Sequence, residues 1–410
     1  MARLRDGKGC RGQVGYNDPM TERITGRMTE RIYLDHAATT PMRPEVRAAM
    51  EPYLSADGFG NPSSLHADGQ RAKRALDAAR DTLAQALGGQ FSEITFTSGG
   101  TEADNAALVG VLLARGPGSH LVTTQIEHEA VRETADFLKK LGFGVTFVPV
   151  DEFGRVSPQA IADALTDRTA LVSVMHANNE VGTVQPLREI ADTVHARGAY
   201  LHTDAVQTFG QLPLDVHALG ADLVTLSAHK VYGPKGAGAL YVRSSVPIEP
   251  LLHGGGQERE RRGGTENVPA VVGFGEAVRL MLPEREAEAM RLTELRDQLL
   301  GALRHRLPEI VLNGHPTERL PNNLNVSFPG LDAETLLLAL DRAGISASSG
   351  SACTSGSIEP SHVLTAMGLP EDRVRSAIRL TLGRGTTPEQ IDRTVDILAG
   401  IVTHLRARSR

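Results

Sequence analysis

The chain has 410 residues, 40% hydrophobic and 22% charged, with a formal net charge of −6 at pH 7. That length carries two domains and a large core, and a mildly acidic protein has no bulk electrostatic reason to bind nucleic acid. No apolar run reaches the length of a membrane span, and Cys10 and Cys353, the only cysteines, exclude a disulfide framework or a Cys-based metal site, which fits a reducing cytoplasm.

Residues 1–27 are Gly- and Arg-rich, lack apolar periodicity and contain no apolar core of a signal peptide, so they read as a disordered extension. Asp6, Asp18 and Glu22 argue against a transit peptide. The tetrapeptide Met-Thr-Glu-Arg at 20–23 recurs at 28–31, and a translation start at Met28 would account for the extension.

After residue 40 the pattern alternates. Strands are expected at Ile94–Thr97, Leu121–Thr124, Val145–Val150, Ala170–Met175, Tyr200–Thr203, Leu223–Ser227 and Ala239–Val242. Helical stretches such as Glu102–Ala114, His128–Leu141, Pro158–Leu165 and Leu187–Arg197 fall between most of them. This alternation predicts an α/β fold, a mostly parallel seven-stranded sheet with helices on both faces. Only a short turn precedes Ala239–Val242, so that strand can pair antiparallel. From about Glu266 a long charged helix is expected through Arg304, then strands near Leu324–Phe328 and helices to the end. The expected organisation is a large domain over 45–275 and a smaller α+β domain over 28–44 and 276–410.

Three places carry chemistry. Lys230 follows the buried strand Leu223–Ser227, in the run Ser227-Ala-His-Lys-Val-Tyr-Gly-Pro-Lys-Gly-Ala-Gly238, and the chain has only six lysines among 43 Lys and Arg. Burial penalises the charged form of an amine and turns it into a nucleophile for carbonyls. Asp204 ends the preceding strand, with Gln207 three residues on. A carboxylate at one strand end and a lysine at the next fit pyridoxal phosphate (PLP), whose aldehyde the lysine holds while the carboxylate keeps the ring nitrogen protonated. Taken alone, Asp204 reads as a cap or turn residue. Cys353 sits in Ser346-Ala-Ser-Ser-Gly-Ser-Ala-Cys-Thr-Ser-Gly-Ser357, small polar residues with little to bury, where a structural cysteine is out of place. The turn Ser98-Gly-Gly-Thr101, opening the helix from Glu102, offers backbone N–H groups to a phosphate. It is not a Walker loop. The fourteen histidines show no spacing that demands a metal.

These runs occur in order with Tyr33-Leu-Asp-His-Ala-Ala-Thr-Thr-Pro41, Thr97-Ser-Gly-Gly-Thr-Glu-Ala-Asp-Asn105, Glu127-His128, Met175-His-Ala-Asn-Asn-Glu-Val-Gly182, Arg262-Gly-Gly-Thr265 and Arg379-Leu-Thr-Leu-Gly-Arg384. From about residue 31 to about 395 the chain closely resembles the cysteine desulfurases of the NifS/IscS type, group I, within the class V aminotransferase superfamily of PLP fold type I. The resemblance implies removal of sulfur from L-cysteine, giving L-alanine and a persulfide on Cys353.

The residue roles below are those the resemblance implies. Lys230 binds the cofactor covalently, Asp204 pairs with its ring nitrogen, and Gln207 and Asn179 sit near the ring hydroxyl. Asn178 and Asn179 cannot be separated by chemistry; alignment to Lys230 favours Asn179. Gly100, Thr101, Ser227 and His229 hold the phosphate, as does Thr265 contributed by the neighbouring subunit of a homodimer. His128 stacks on the ring and moves protons; alone it reads as a helix cap or surface residue. Arg379 clamps the substrate carboxylate, and Asn179 and His36 belong to the substrate site, although many relatives have Asn or Tyr where His36 stands. Sulfur acceptors such as an iron–sulfur scaffold are implied as partners, together with a transient iron–sulfur cluster at Cys353 on transfer. The −6 charge does not choose among iron–sulfur assembly, tRNA thiolation and cofactor thiolation. Selenocysteine lyase is the competing activity, since selenium chemistry uses the same groups. Aminotransferases and kynureninases need no mobile thiol.

Overall fold

The computed structural model describes residues 31–56, 58–350 and 360–408. The proposed extension 1–27 and residues 351–357 of the run carrying Cys353 lie outside the described residues. Contacts gather Ile32–Arg410 into one compact unit.

Its largest element is a seven-stranded sheet. In chain order the strands are β1 (Ile94–Thr97), β2 (His120–Thr124), β3 (Gly144–Val148), β4 (Thr169–Ser173), β5 (Tyr200–Asp204), β6 (Leu223–Ser227) and β7 (Gly238–Val242). Their spatial order is β1-β7-β6-β5-β4-β2-β3. Six strands run in one direction, five of them as adjacent parallel neighbours, and β7 alone is reversed, antiparallel to both β6 and β1. The short turn before β7 allows that reversal, as its sequence predicts. Strands β1, β2, β4, β6 and β7 are buried at every position, as a parallel sheet covered on both faces requires. The helix α1 (Gly100–Arg115) packs against β4, β6 and β7, through Leu108, Val111 and Leu112 among others.

The expected single helix from Glu266 to Arg304 is two: α2 (Val268–Met281) and α3 (Arg285–Arg306). Pro283 lies in the break, where its missing N–H and fixed ring prevent helical hydrogen bonding from continuing. Beyond α3 a second, antiparallel sheet forms in the order Ala377–Thr381, Asn323–Ser327, Val311–Asn313. It belongs to a separate apolar cluster that includes Leu299, Val326, Phe328, Leu336, Ile378 and Leu398, which Ile32 and Leu34 also join. No helix among the described residues is long and apolar enough to cross a membrane.

Candidate active site

Strands β5 and β6 are parallel neighbours, with Asp204 level with Thr225, so both end on the same edge of the sheet. Ligand sites of open α/β sheets form at that edge. β5 ends in Asp204; β6 ends in Ser227 and passes into a one-turn 3₁₀ segment, Ala228–Lys230. The start of α1 arrives at the same place because β7 and the turn before α1 pack backbone to backbone. A Cβ on Gly238 would lie 2.6 Å from the carbonyl carbon of Gly99, so only glycine fits there.

These ends enclose a cavity of about 210 Å³. Gly100, Thr101, His128, Asn179, Asp204, Gln207, Ser227, His229 and Lys230, all named from the sequence, line it. Asp104, Met175 and Val206 line it too and were not anticipated. Asp104 had a legible signal: it lies four residues after Gly100, one turn along the same helix, and therefore on the same side.

Lys230 Nζ donates to the carbonyl of Ala38 at 2.8 Å and to that of Ala37. Burial, with help from the Arg379 charge, pulls its pKa down to about 8, against the opposing pull of Asp204 and Asp35. Gln207 donates to the Ala37 carbonyl at 3.0 Å, so the Tyr33–Pro41 run is tied to the cavity from two sides. Asp204 is 6% exposed and accepts from the Val206 N–H at 2.8 Å. Its pKa is raised, by burial first, while His128 and Lys230 act in the other direction. His128 caps the helix Glu129–Lys140, its Nδ1 accepting from the Ala130 N–H at 3.1 Å. In the neutral ring the proton then sits on Nε2. His229 is held to Thr39 Oγ1 at 3.1 Å and pushed down to about 4, chiefly by burial and then by Lys230 and Lys235.

No side chain caps α1. Its first N–H groups, Ser227 and His229 therefore face the cavity as an anion cradle. The two neighbouring asparagines, inseparable in the sequence, differ in the fold. Asn178 is buried; its amide donates to the Ile126 carbonyl and its Oδ1 accepts from the N–H groups of Glu180 and Val181, each at 2.9 Å. Asn178 shapes the turn, and Asn179 faces the cavity.

Three other sequence candidates are not among the lining residues. Thr265 is exposed. Arg379 is buried at 4% exposure, donating to Asp35 Oδ1 and to the Asn179 carbonyl at 2.9 Å each, with Nε unpartnered. His36 is buried rather than open to a substrate mouth: its ring stands edge-on to Tyr33 at 4.9 Å and packs against Gly383, and burial lowers its pKa to about 4.

The family Aminotransferase class-V matches residues 32–394. The chain belongs to that family. Within the class-V family it is 50% identical to a protein named cysteine desulfurase IscS from Methanosarcina thermophila, over 92% of this chain and 93% of that one. It is 49% identical to a cysteine desulfurase from Trichormus azollae, over 92% and 94% of the two chains. A solved NifS-like protein superposes with a TM-score of 0.86 at 37% identity, covering 91% of this chain and all of that one. Another solved member, SspA in complex with cysteine, has a TM-score of 0.76 at 37% identity, covering 86% and 98%.

Proposed function

We propose that this class-V enzyme is a cysteine desulfurase, converting L-cysteine and the Cys353 thiol into L-alanine and a Cys353 persulfide. In the net step the substrate C–S bond breaks, an S–S bond forms to Cys353, and a proton replaces sulfur on the substrate carbon. The observation that carries this reading is one cavity joining the Lys230 amine, the Asp204 carboxylate and an uncapped helix N-terminus, in a chain of this family.

Those residues fit pyridoxal phosphate. Lys230 offers an amine whose pKa is lowered to about 8, a nucleophile near neutral pH. Asp204 offers a buried acceptor to a ring nitrogen, Gln207 and Asn179 polar groups at the ring edge, and the start of α1 with Ser227 and His229 the phosphate cradle. When bound, the cofactor supplies an electron sink that weakens the substrate C–S bond. His128, which lines the cavity, would face the bound ring and give a proton from Nε2. Arg379 binds the substrate carboxylate through its forked donors, exchanging for it their present partners, Asp35 and the Asn179 carbonyl. A free thiol is mostly protonated near neutrality, its pKa being about 8.5, so Cys353 depends on a proton acceptor; His128 fills that role by releasing the Ala130 N–H from Nδ1, since Nε2 already carries the ring's proton.

We further propose that the enzyme is a cytoplasmic homodimer in which Thr265, exposed within one protomer, completes the phosphate cradle of the other. A division into a large domain over 45–275 and a small one over 28–44 and 276–410 is part of the same proposal; Ile32 and Leu34, which pack with Leu299 and Leu398, support joining the N-terminal piece to the small domain. Protein acceptors, such as an iron–sulfur scaffold, take the sulfur.

The test is to incubate the purified protein with PLP and L-cysteine, assay alanine, and map the persulfide by alkylation. Alanine formed in step with a reductant-sensitive persulfide on Cys353 is the expected result. Absence of alanine, or alanine from selenocysteine alone, would overturn the reading.

A further inference from the structure

Asp104 is the cavity residue with no role in the reading above. It is 1% exposed, and its Oδ1 has no hydrogen-bond partner. The nearest imidazole does not serve it. His202 Nε2 stands 3.6 Å away, beyond hydrogen-bonding reach, and is 3.0 Å from Thr225 Oγ1, while its Nδ1 is 2.9 Å from Ser173 Oγ. His202 is neutral, since burial drives its pKa to about 3. Asp104, Asp204 and His128 each bring a ligand atom to within 4.8 Å of the other two. Two carboxylates are thus buried side by side against one cavity, with no cation paired to Asp104 among the described residues.

Two like charges this close, taken from water together, do not both ionise; such a pair retains a proton. The surroundings decide where it stays. Asp204 receives the Val206 N–H at 2.8 Å and feels Lys230 and His128, all of which favour its charged form. Burial and then the charge of Asp204 disfavour the charged form of Asp104, which is helped only by a hydroxyl, that of Thr225. Glu127 adds no fixed negative charge near neutrality, because burial raises its pKa to about 8.

We propose that Asp104 is a positioning residue that keeps the pair's single proton, so that Asp204 alone carries the charge offered to the cofactor's ring nitrogen. The proposal rests on the cofactor reading above for its purpose, and on this chain's own residues for its content.

The proton is read directly in the full-length protein, with PLP bound and after its removal. Aspartate labelled with ¹³C at the side-chain carboxyl should show one carbon that stays protonated at neutral pH, and its signal should vanish in Asp104→Asn. The infrared difference between wild type and Asp104→Asn should likewise hold one protonated-carboxyl stretch, still present in Asp204→Asn. Loss of that signal in Asp204→Asn but not in Asp104→Asn would place the proton on the wrong partner and overturn the proposal. So would a spectrum in which every aspartate is ionised at pH 7. If Asp104→Asn fails to fold, the wild-type titration still decides between one retained proton and none. Because the measurement needs no cysteine turnover, it can fail while the desulfurase reading stands, and the reverse.

Discussion

The cavity edge of the seven-stranded sheet and the described flanks of residues 351–359 are held by different kinds of contact. At the sheet edge, side chains are fixed by burial: strand ends deliver Asp204 and Lys230, and desolvation shifts their proton affinities. The flanks of residues 351–359 add polar contacts to burial. Ser348 and Arg379 exchange backbone hydrogen bonds, Gly350 N–H reaches Ser348 Oγ at 3.1 Å, and Ser361 Oγ donates to buried Glu180. Cofactor chemistry needs groups that hold still, whereas sulfur transfer needs a thiol delivered from elsewhere in the chain. In the proposed reaction the cofactor site and the thiol can therefore be damaged separately.

The largest effect should come from the sheet edge. Lys230→Ala removes the only lysine among the cavity-lining residues, so alanine formation should fall by about 10³-fold or more. Borohydride reduction of the wild type with PLP should fix the cofactor on the Lys230 peptide; label on Lys235 instead would sink the assignment. Cys353→Ala should separate the thiol from the cofactor site. It leaves Lys230, Asp204 and the anion cradle in place, so the protein should stay yellow and bind L-cysteine. Persulfide should disappear and alanine formation drop by about a hundredfold. Near-wild-type alanine from this variant would mean that Cys353 is not the acceptor.

The sheet edge was also the legible half of the molecule. Seven apolar strands with helices between them encode a mostly parallel sheet, and a lysine and an aspartate at successive strand ends mark the edge that holds the cavity. Asp104 escaped because a carboxylate in the first turns of a helix is ordinary by composition; only the fold shows it buried beside Asp204. The Asn178 and Asn179 pair was ambiguous for a related reason, since adjacent identical side chains are told apart by the direction the turn gives them. His36 read as a mouth residue because sequence carries no sign that Gly383 leaves room for its ring to pack inward. The break at Pro283 was written plainly and passed over in favour of the surrounding helical pattern.

The sheet edge should also be the costlier half to disturb structurally. Arg80 and Glu258 form a buried two-pronged ion pair, at 2.6 and 2.7 Å, and Glu258 also accepts from the Phe96 N–H of β1 at 2.9 Å. This pair pins a segment, Glu258–Glu260, whose three successive residues all have positive φ. That segment leads to Arg262-Gly-Gly-Thr265. Glu258→Ala leaves a buried guanidinium uncompensated and should cost about 3–5 kcal/mol of stability. Denaturant melts should show Arg80→Ala and Glu258→Ala together costing clearly less than the sum of the two. Additive losses would mean that the pair is not a unit.

The polar anchorage should give the smallest effect, and one that depends on pH. Glu180 is buried, and burial raises its pKa to about 7, against the opposing pull of Ser361 and Arg379. A folded-state pKa above the unfolded one of about 4.3 means that the native state binds the proton more tightly. The resulting stability is fully present below about pH 4 and is lost as pH rises through 7. Glu180→Gln keeps a neutral group able to meet Ser361 and cannot ionise. Between pH 5 and 8 the variant should therefore lose less stability than wild type, by about 1–3 kcal/mol. Above pH 7 it should be the more stable of the two. Equal slopes in denaturant melts across that range would show that Glu180 is already ionised, and that the flanks of the Cys353 stretch are held by charge rather than by a neutral hydrogen bond.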